Sequence, residues 1–182
     1  VNVSGSEKKS NLDQQGQHQI YQQGNLSIEF CPGTVNSVIL KSGDRCFAIY
    51  GAPAQPDKTW NIEAVALTHA RREVMTDQLL EWAKGVDSES ERSLRILAPD
   101  SMRNKLMDPA TVWAAEWSGQ YHNYAQQTSR LPTQIVPVTE WLEDGSVIQW
   151  NEFSIQALET PGYTRDSVSY LITAPDGFRA VA

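Results

Sequence analysis

The chain has 182 residues, 40% of them hydrophobic, with six Trp and a formal net charge of −7, enough for one soluble domain with a sizeable core. A pI near 4.9 excludes a general attraction to nucleic-acid backbones. No apolar run reaches the roughly 20 residues that cross a bilayer, and two cysteines are too few for a disulfide scaffold.

Residues 1–25 are polar, rich in Gln, Ser and Asn, and are expected to form a flexible leader or linker ahead of a domain spanning 26–182. The start at Val1 rather than Met leans towards a processed or exported protein. Alternating apolar residues predict strands over Leu26–Phe30, Val35–Leu40 and Cys46–Tyr50, with a turn at Lys41–Arg45. Cys31 and Cys46 flank two candidate neighbouring strands, which leaves a single bridge and two buried free thiols both open. The apolar run Ala64–Leu67 predicts a buried strand that leads into a loop and then a helix, with Met75, Leu79, Trp82, Ala83 and Val86 at helical spacing. Leu94–Leu97 reads as a further short strand, and Pro99-Asp100 opens a helical turn towards Met107. Asp108 as N-cap and Pro109 as first helical residue start the next helix, Ala110 to Trp117. Strands are then expected at Ile135–Val138, Val147–Trp150 and Phe153–Leu158, with a hairpin joining Val168–Thr173 to Phe178–Val181 around Ala174–Gly177.

Two segments stand out for chemistry. The first is Thr68-His69-Ala70-Arg71-Arg72-Glu73-Val74, at the end of a predicted strand. The second is Thr160-Pro161-Gly162-Tyr163-Thr164, just before another. In order and spacing they resemble the metallo-β-lactamase superfamily, whose members read Thr-His-x-His-x-Asp-His in the first segment and Thr-Pro-Gly-His-Thr in the second. The opening hairpin meander is similar too, although Ile49-Tyr50-Gly51 replaces an Asp-x-Gly-like turn. The resemblance covers residues 26–182 and implies a four-layer αββα sandwich, of which this chain holds the N-terminal half to two-thirds.

The resemblance also implies zinc or iron between the sheets, where the metal brings a bound water to near-neutral pKa for hydrolysis. Position by position, His69 keeps a ligand nitrogen and Glu73 keeps a carboxylate, one methylene longer than the expected Asp. Arg71 occupies the place of a second histidine, and a guanidinium has no lone pair to give. Val74 replaces a third histidine and Tyr163 a fourth; a phenol with its ordinary pKa near 10 is a poor ligand at neutral pH. Charge opposes the ion as well: unit charges about 4 Å apart interact by roughly 4 kcal/mol at an effective dielectric of about 20, and a dication doubles this. Arg71 paired with Glu73 or another acidic neighbour is therefore expected to fill the ion's structural place.

Plainer roles stand beside these. His69 suits a hydrogen-bonded strand end, and Glu73 the positive start of a helix. The Tyr121-His122-Asn123-Tyr124 cluster near Trp113 and Trp117 suits core packing more than a binding surface, and His18 lies in the leader. The expected function is a degenerate metallo-β-lactamase-like domain with a binding or assembly role. No cofactor is expected, and a protein partner or second polypeptide completes the fold. The alternative is a metal-dependent hydrolase of an ester, lactone, thioester or amide. Its reduced one-metal zinc or iron site would use His69, Glu73 and residues outside this chain. A third reading makes Arg71 and Tyr163 an anion clamp in a metal-free cleft.

Overall fold

The computed structural model describes residues 18–32, 36–49, 60–70, 94–120 and 134–182, with only the backbone described for His18 and residues 116–120. These residues build two sheets. The first runs in chain order through seven strands: β1 (His18–Gln23), β2 (Leu26–Cys31), β3 (Ser37–Ser42), β4 (Arg45–Ile49), β5 (Asn61–Ala66), β6 (Arg95–Pro99) and β7 (Glu140–Leu142). Pairing is antiparallel from β1 to β4 and parallel from β4 to β7. The second sheet is an antiparallel meander of β8 (Val147–Trp150), β9 (Phe153–Glu159), β10 (Val168–Thr173) and β11 (Arg179–Val181). Between β6 and β7 lie a single 3₁₀ turn (Asp100–Met102), α1 (Arg103–Met107) and α2 (Pro109–Gln120). The turn between β3 and β4 needs Gly43, whose φ of +63° is costly for a residue with a Cβ.

Period-two patterning assigns the layers. Phe153, Ile155 and Ala157 on β9 and Val168, Tyr170 and Ile172 on β10 face inward. They pack on Ile28, Leu40, Phe47 and Ala66 of the first sheet. The opposite face of the first sheet carries Ile39, Ala48, Val65 and Ile96, covered by Met102 and Leu106 of the helical segment. Ala64, Val65, Ala66 and Leu67 are all buried, as expected for a parallel strand with apolar layers on both sides. The order is helix, sheet, sheet, which makes up three layers of an αββα sandwich.

At the β4–β5 entry the two sheets are tied by polar contacts. Arg45 Nε donates to Glu63 Oε1 at 2.6 Å, and Arg45 Nη1 donates to Asn151 Oδ1 at 2.7 Å in the β8–β9 turn. At the opposite end, where β5 leaves the sheet, lies the site described below.

Three sequence expectations change. Residues 18–23, placed in the leader, form β1, which pairs with β2 and buries Tyr21. Ile135–Val138 is not a strand. Val136 N donates to Leu106 O at 3.1 Å, so this segment crosses the end of α1 before reaching the sheet. The strand that joins the sheet is β7, which sequence reading missed: it is only three residues long, and its central Trp141 lies under Arg103, 4.3 Å from the ring centroid. The helix expected over Met75–Val86 lies outside the described residues, as do Tyr121–Tyr124. The Asp108 cap is present, with Thr111 N donating to Asp108 Oδ1 at 3.4 Å.

Cys31 and Cys46 are both buried thiols, not joined in a disulfide. Cys31 ends β2 opposite Ser37, whereas Cys46 is the second residue of β4, opposite Lys41, so β3 lies between them and the bridge left open above is not made. Burial pushes the Cys46 thiol up to about 11 from an ordinary value of 9.0. The fold thus favours the neutral thiol, while the unfolded chain ionises it earlier. Stability from this group is complete below the ordinary value and declines as pH rises towards the folded one. Urea midpoints are expected to fall between pH 9 and 11, and the Cys46→Ala variant to show a shallower fall. Equal slopes would contradict this burial.

Candidate functional site

The site forms where β5 ends. Leu67 N donates to Leu97 O at 2.9 Å, extending the parallel ladder by one residue before the backbone turns away. Both carbonyls at this exit are then captured by the second sheet. The buried Tyr170 hydroxyl donates to Leu67 O at 2.7 Å, and Val168 N donates to Thr68 O at 2.8 Å. Burial holds the Tyr170 phenol well above its ordinary range, so it remains a donor. These two bonds fix Thr68 and His69 against β10, at the C-terminal edge of the parallel strands, where open α/β sheets commonly bind ligands.

His69 is half-buried, with its Nε2 hidden from solvent. Its Nδ1 lies 2.9 Å from Thr68 Oγ1, and the tautomer sets which atom donates. The segment from Thr160 to Ser167 faces it as a self-bonded loop. Thr160 N donates to Ser167 O at 2.9 Å and Gly162 N to Thr164 O at 3.0 Å. Thr164 N donates to Ser167 Oγ at 3.1 Å. This loop brings the Tyr163 ring edge-on to His69, with centroids 5.6 Å apart and planes at 83°. Tyr163 is nevertheless 65% exposed.

The structure therefore brings together His69 and Tyr163, which lie far apart in the chain. Arg71, Glu73 and Val74 lie outside the described residues, and so does the Arg71–Glu73 pairing. Among the described residues no group of three or more His, Cys, Asp or Glu side chains gathers as a metal cage. Of the five motif positions, the described ones bring one imidazole and one phenol together here. Sequence reading missed Asp166 and Lys105. Asp166, in the same loop as Tyr163, is buried, with its Oδ2 3.6 Å from Lys105 Nζ on α1. The only signal was an acidic residue inside a turn, which usually means solvent exposure. Among the described residues, no helix is long and apolar enough to cross a membrane.

No protein-family model matches the chain, and neither does any curated protein. Solved structures do match. One is a metallo-β-lactamase of Cronobacter sakazakii described by a HARLDQ motif, at 18% identity and TM-score 0.58, covering 85% of this chain and 57% of that one. A class B3 di-zinc metallo-β-lactamase from an Alaskan soil metagenome matches at 15% identity and TM-score 0.58, covering 87% and 59%. The native metallo-β-lactamase of Legionella gormanii matches at 13% identity and TM-score 0.62, covering 87% and 60%. The chain thus spans 57–60% of the length of these structures. Layer order, strand order and these likenesses lead to one conclusion: this chain has the metallo-β-lactamase fold.

Proposed function

We propose that this domain keeps the metallo-β-lactamase scaffold for binding or assembly and does not build the ordinary two-metal centre. The observation that carries the reading is the Tyr163 ring edge beside His69, where the resemblance calls for another imidazole. A phenol offers no good ligand atom near neutral pH, and Arg71 brings a fixed cation into the same motif. The partner is a polypeptide packing on the outward face of the second sheet, where Val147 is 54% and Val181 68% exposed.

A second reading, hydrolysis at a reduced one-metal site built on His69 and Glu73, is favoured by one specific observation. The Cronobacter sakazakii protein is named a metallo-β-lactamase although its motif reads HARLDQ. His69-Ala70-Arg71 repeats its first three letters, and Glu73 stands where it has Asp. Arginine in this place thus accompanies that name in another chain of the same fold.

Metal analysis of the full chain purified without chelator separates the two readings. Substoichiometric zinc and iron, with no turnover of chromogenic ester, lactone or β-lactam probes, is expected. Stoichiometric metal, lost to chelator together with hydrolysis, would replace the first reading by the second. The donor argument also predicts a gain. Arg71→His, Val74→His and Tyr163→His combined are expected to take up zinc at one equivalent or more, and a triple variant as metal-poor as the parent would contradict it.

A further inference from the structure

We propose that the polypeptide covering the outward face of the second sheet is a second copy of this chain, docked about a two-fold axis that runs along the strands between β9 and β10. This names the partner of the proposed binding or assembly role and rests on that reading. Sheet register supplies the first argument. Val181 pairs with Leu171, Leu171 with Gln156 and Gln156 with Val147, so these four form one row across the whole sheet. Their strand neighbours Tyr170, Ile172, Ile155 and Ile148 are buried, which turns the row outward. Val147 and Val181, at its two ends, are 54% and 68% exposed. Two residues further along the strands lies a polar row of Arg179, Thr173, Ser154 and Gln149.

Rotation about an axis parallel to the strands lays each row on its own copy, as an isologous interface requires. Val181 then meets Val147 of the second copy, and Arg179 comes near Gln149 of the second copy. Gln149 Nε2 donates to Ser154 Oγ at 3.2 Å, which leaves the Gln149 Oε1 to accept from that guanidinium. A two-fold along the apolar row would instead set the polar row against Ser169 and Leu158. Desolvation is the second argument. Gln156 Nε2 donates to Gly145 O at 3.4 Å, and Ser169 Oγ lies 2.9 Å from Thr160 Oγ1, so these groups keep partners when water leaves. Charge is the third. Chains of net charge −7 repel one another, yet the outward residues of β8–β11 include no Asp or Glu. Their one cation, Arg179, stands on the edge strand, so the two arginines of a dimer lie apart. Strands about 4.8 Å apart and about 20 Å long make a face of roughly 400 Å², half of the about 800 Å² each partner buries in a standard interface. The dimer is therefore weak and concentration-dependent.

Sedimentation velocity of the full chain from about 1 μM to about 1 mM is expected to show monomer giving way to dimer and to nothing larger, because a two-fold contact closes. Val147→Glu and Val181→Glu, each placing a carboxylate in the apolar row, are expected to keep the chain monomeric over that range. Gln149→Glu, which offers Arg179 of the second copy a carboxylate twice per dimer, is expected to tighten association at least about threefold. Arg179→Gln in the same chain is expected to cancel that gain. A parent monomeric throughout, an open series of larger species, or association indifferent to both valine variants would overturn the dimer. So would Gln149→Glu associating no more tightly than the parent, and this arm decides if the valine variants lose native circular dichroism. Metal content of the same samples keeps the two proposals distinguishable. A metal-poor, inactive monomer overturns the dimer alone, whereas stoichiometric metal with hydrolysis overturns the binding or assembly role whatever the mass.

Discussion

Phe153→Ala is expected to lower the unfolding free energy by about 3–5 kcal/mol, the range for truncating a buried aromatic core residue. Phe153 is fully buried at the start of β9 and links the two sheets through other rings. Trp150 stacks beside it at 6.1 Å and 14°, and Tyr21 of β1 meets it edge-on at 6.5 Å and 75°. Trp150 in turn lies 5.7 Å from Phe47 of the first sheet. Those neighbours sit on paired strands and have little freedom to collapse into the space left, so the cavity term adds to the transfer term. For a domain whose whole stability is about 5–15 kcal/mol, this loss approaches unfolding. Urea titration followed by Trp fluorescence reads it as a lower midpoint at unchanged slope. Phe153→Leu, which keeps most of the volume, is expected to lose much less. A loss under about 1 kcal/mol in the alanine variant would mean that the layer between the sheets repacks, contrary to the close packing of such interiors.

The strands legible in the sequence are those with one buried face. On β9 and β10 apolar and polar residues alternate except at Leu158 and Leu171, and both were placed almost to the residue. β5 was legible only in its second half, through the apolar run Ala64–Leu67; its first residues, Asn61-Ile62-Glu63, carry no such run. β1 was lost because only Tyr21 of its six residues has a buried aromatic side chain, and its glutamines imitate a linker. β7 was lost because three residues carry no period, and Ile135–Val138 offered a stronger β signal where the chain instead crosses α1. Propensity identifies residues that suit a sheet; it does not say which of two adjacent candidates reaches one.

The site was legible in part because its frame is local. A strand ending in Thr68-His69 and a turn beginning Thr160-Pro161-Gly162 are contiguous motifs, and the fold brings His69 and Tyr163 to 5.6 Å between ring centroids. The supports were not legible. Tyr170 looked like one more inward residue of β10, and nothing in its neighbours announced a hydroxyl aimed at Leu67. Asp166 and Lys105 are far apart in sequence, and each alone resembles an ordinary surface charge. Long-range polar pairs leave no periodic trace in a single chain; only the folded topology brings them together.

Tyr170→Phe tests the support that matters most to the position of His69. Removing one oxygen atom leaves the apolar ring in the inter-sheet core but takes away the donor to Leu67 O, a 2.7 Å bond in a fully buried setting. An unmet buried carbonyl costs about 1–3 kcal/mol, more than the modest net worth of an average hydrogen bond. Because burial keeps this phenol protonated well beyond the ordinary tyrosine range, the loss is expected to be the same at neutral and mildly alkaline pH. A second effect should accompany it. Leu67 directly precedes Thr68 and His69, so releasing its carbonyl loosens the β5 exit, leaving Val168 N on Thr68 O as the backbone tie to β10. The His69 ring resonances are therefore expected to shift or broaden in Tyr170→Phe. Tyr163→Phe, altered at a residue that is 65% exposed, should stay within about 0.5 kcal/mol of the parent. If Tyr170→Phe matched the parent in both urea midpoint and His69 resonances, the β5 exit would have to be held by the Val168–Thr68 bond and packing alone.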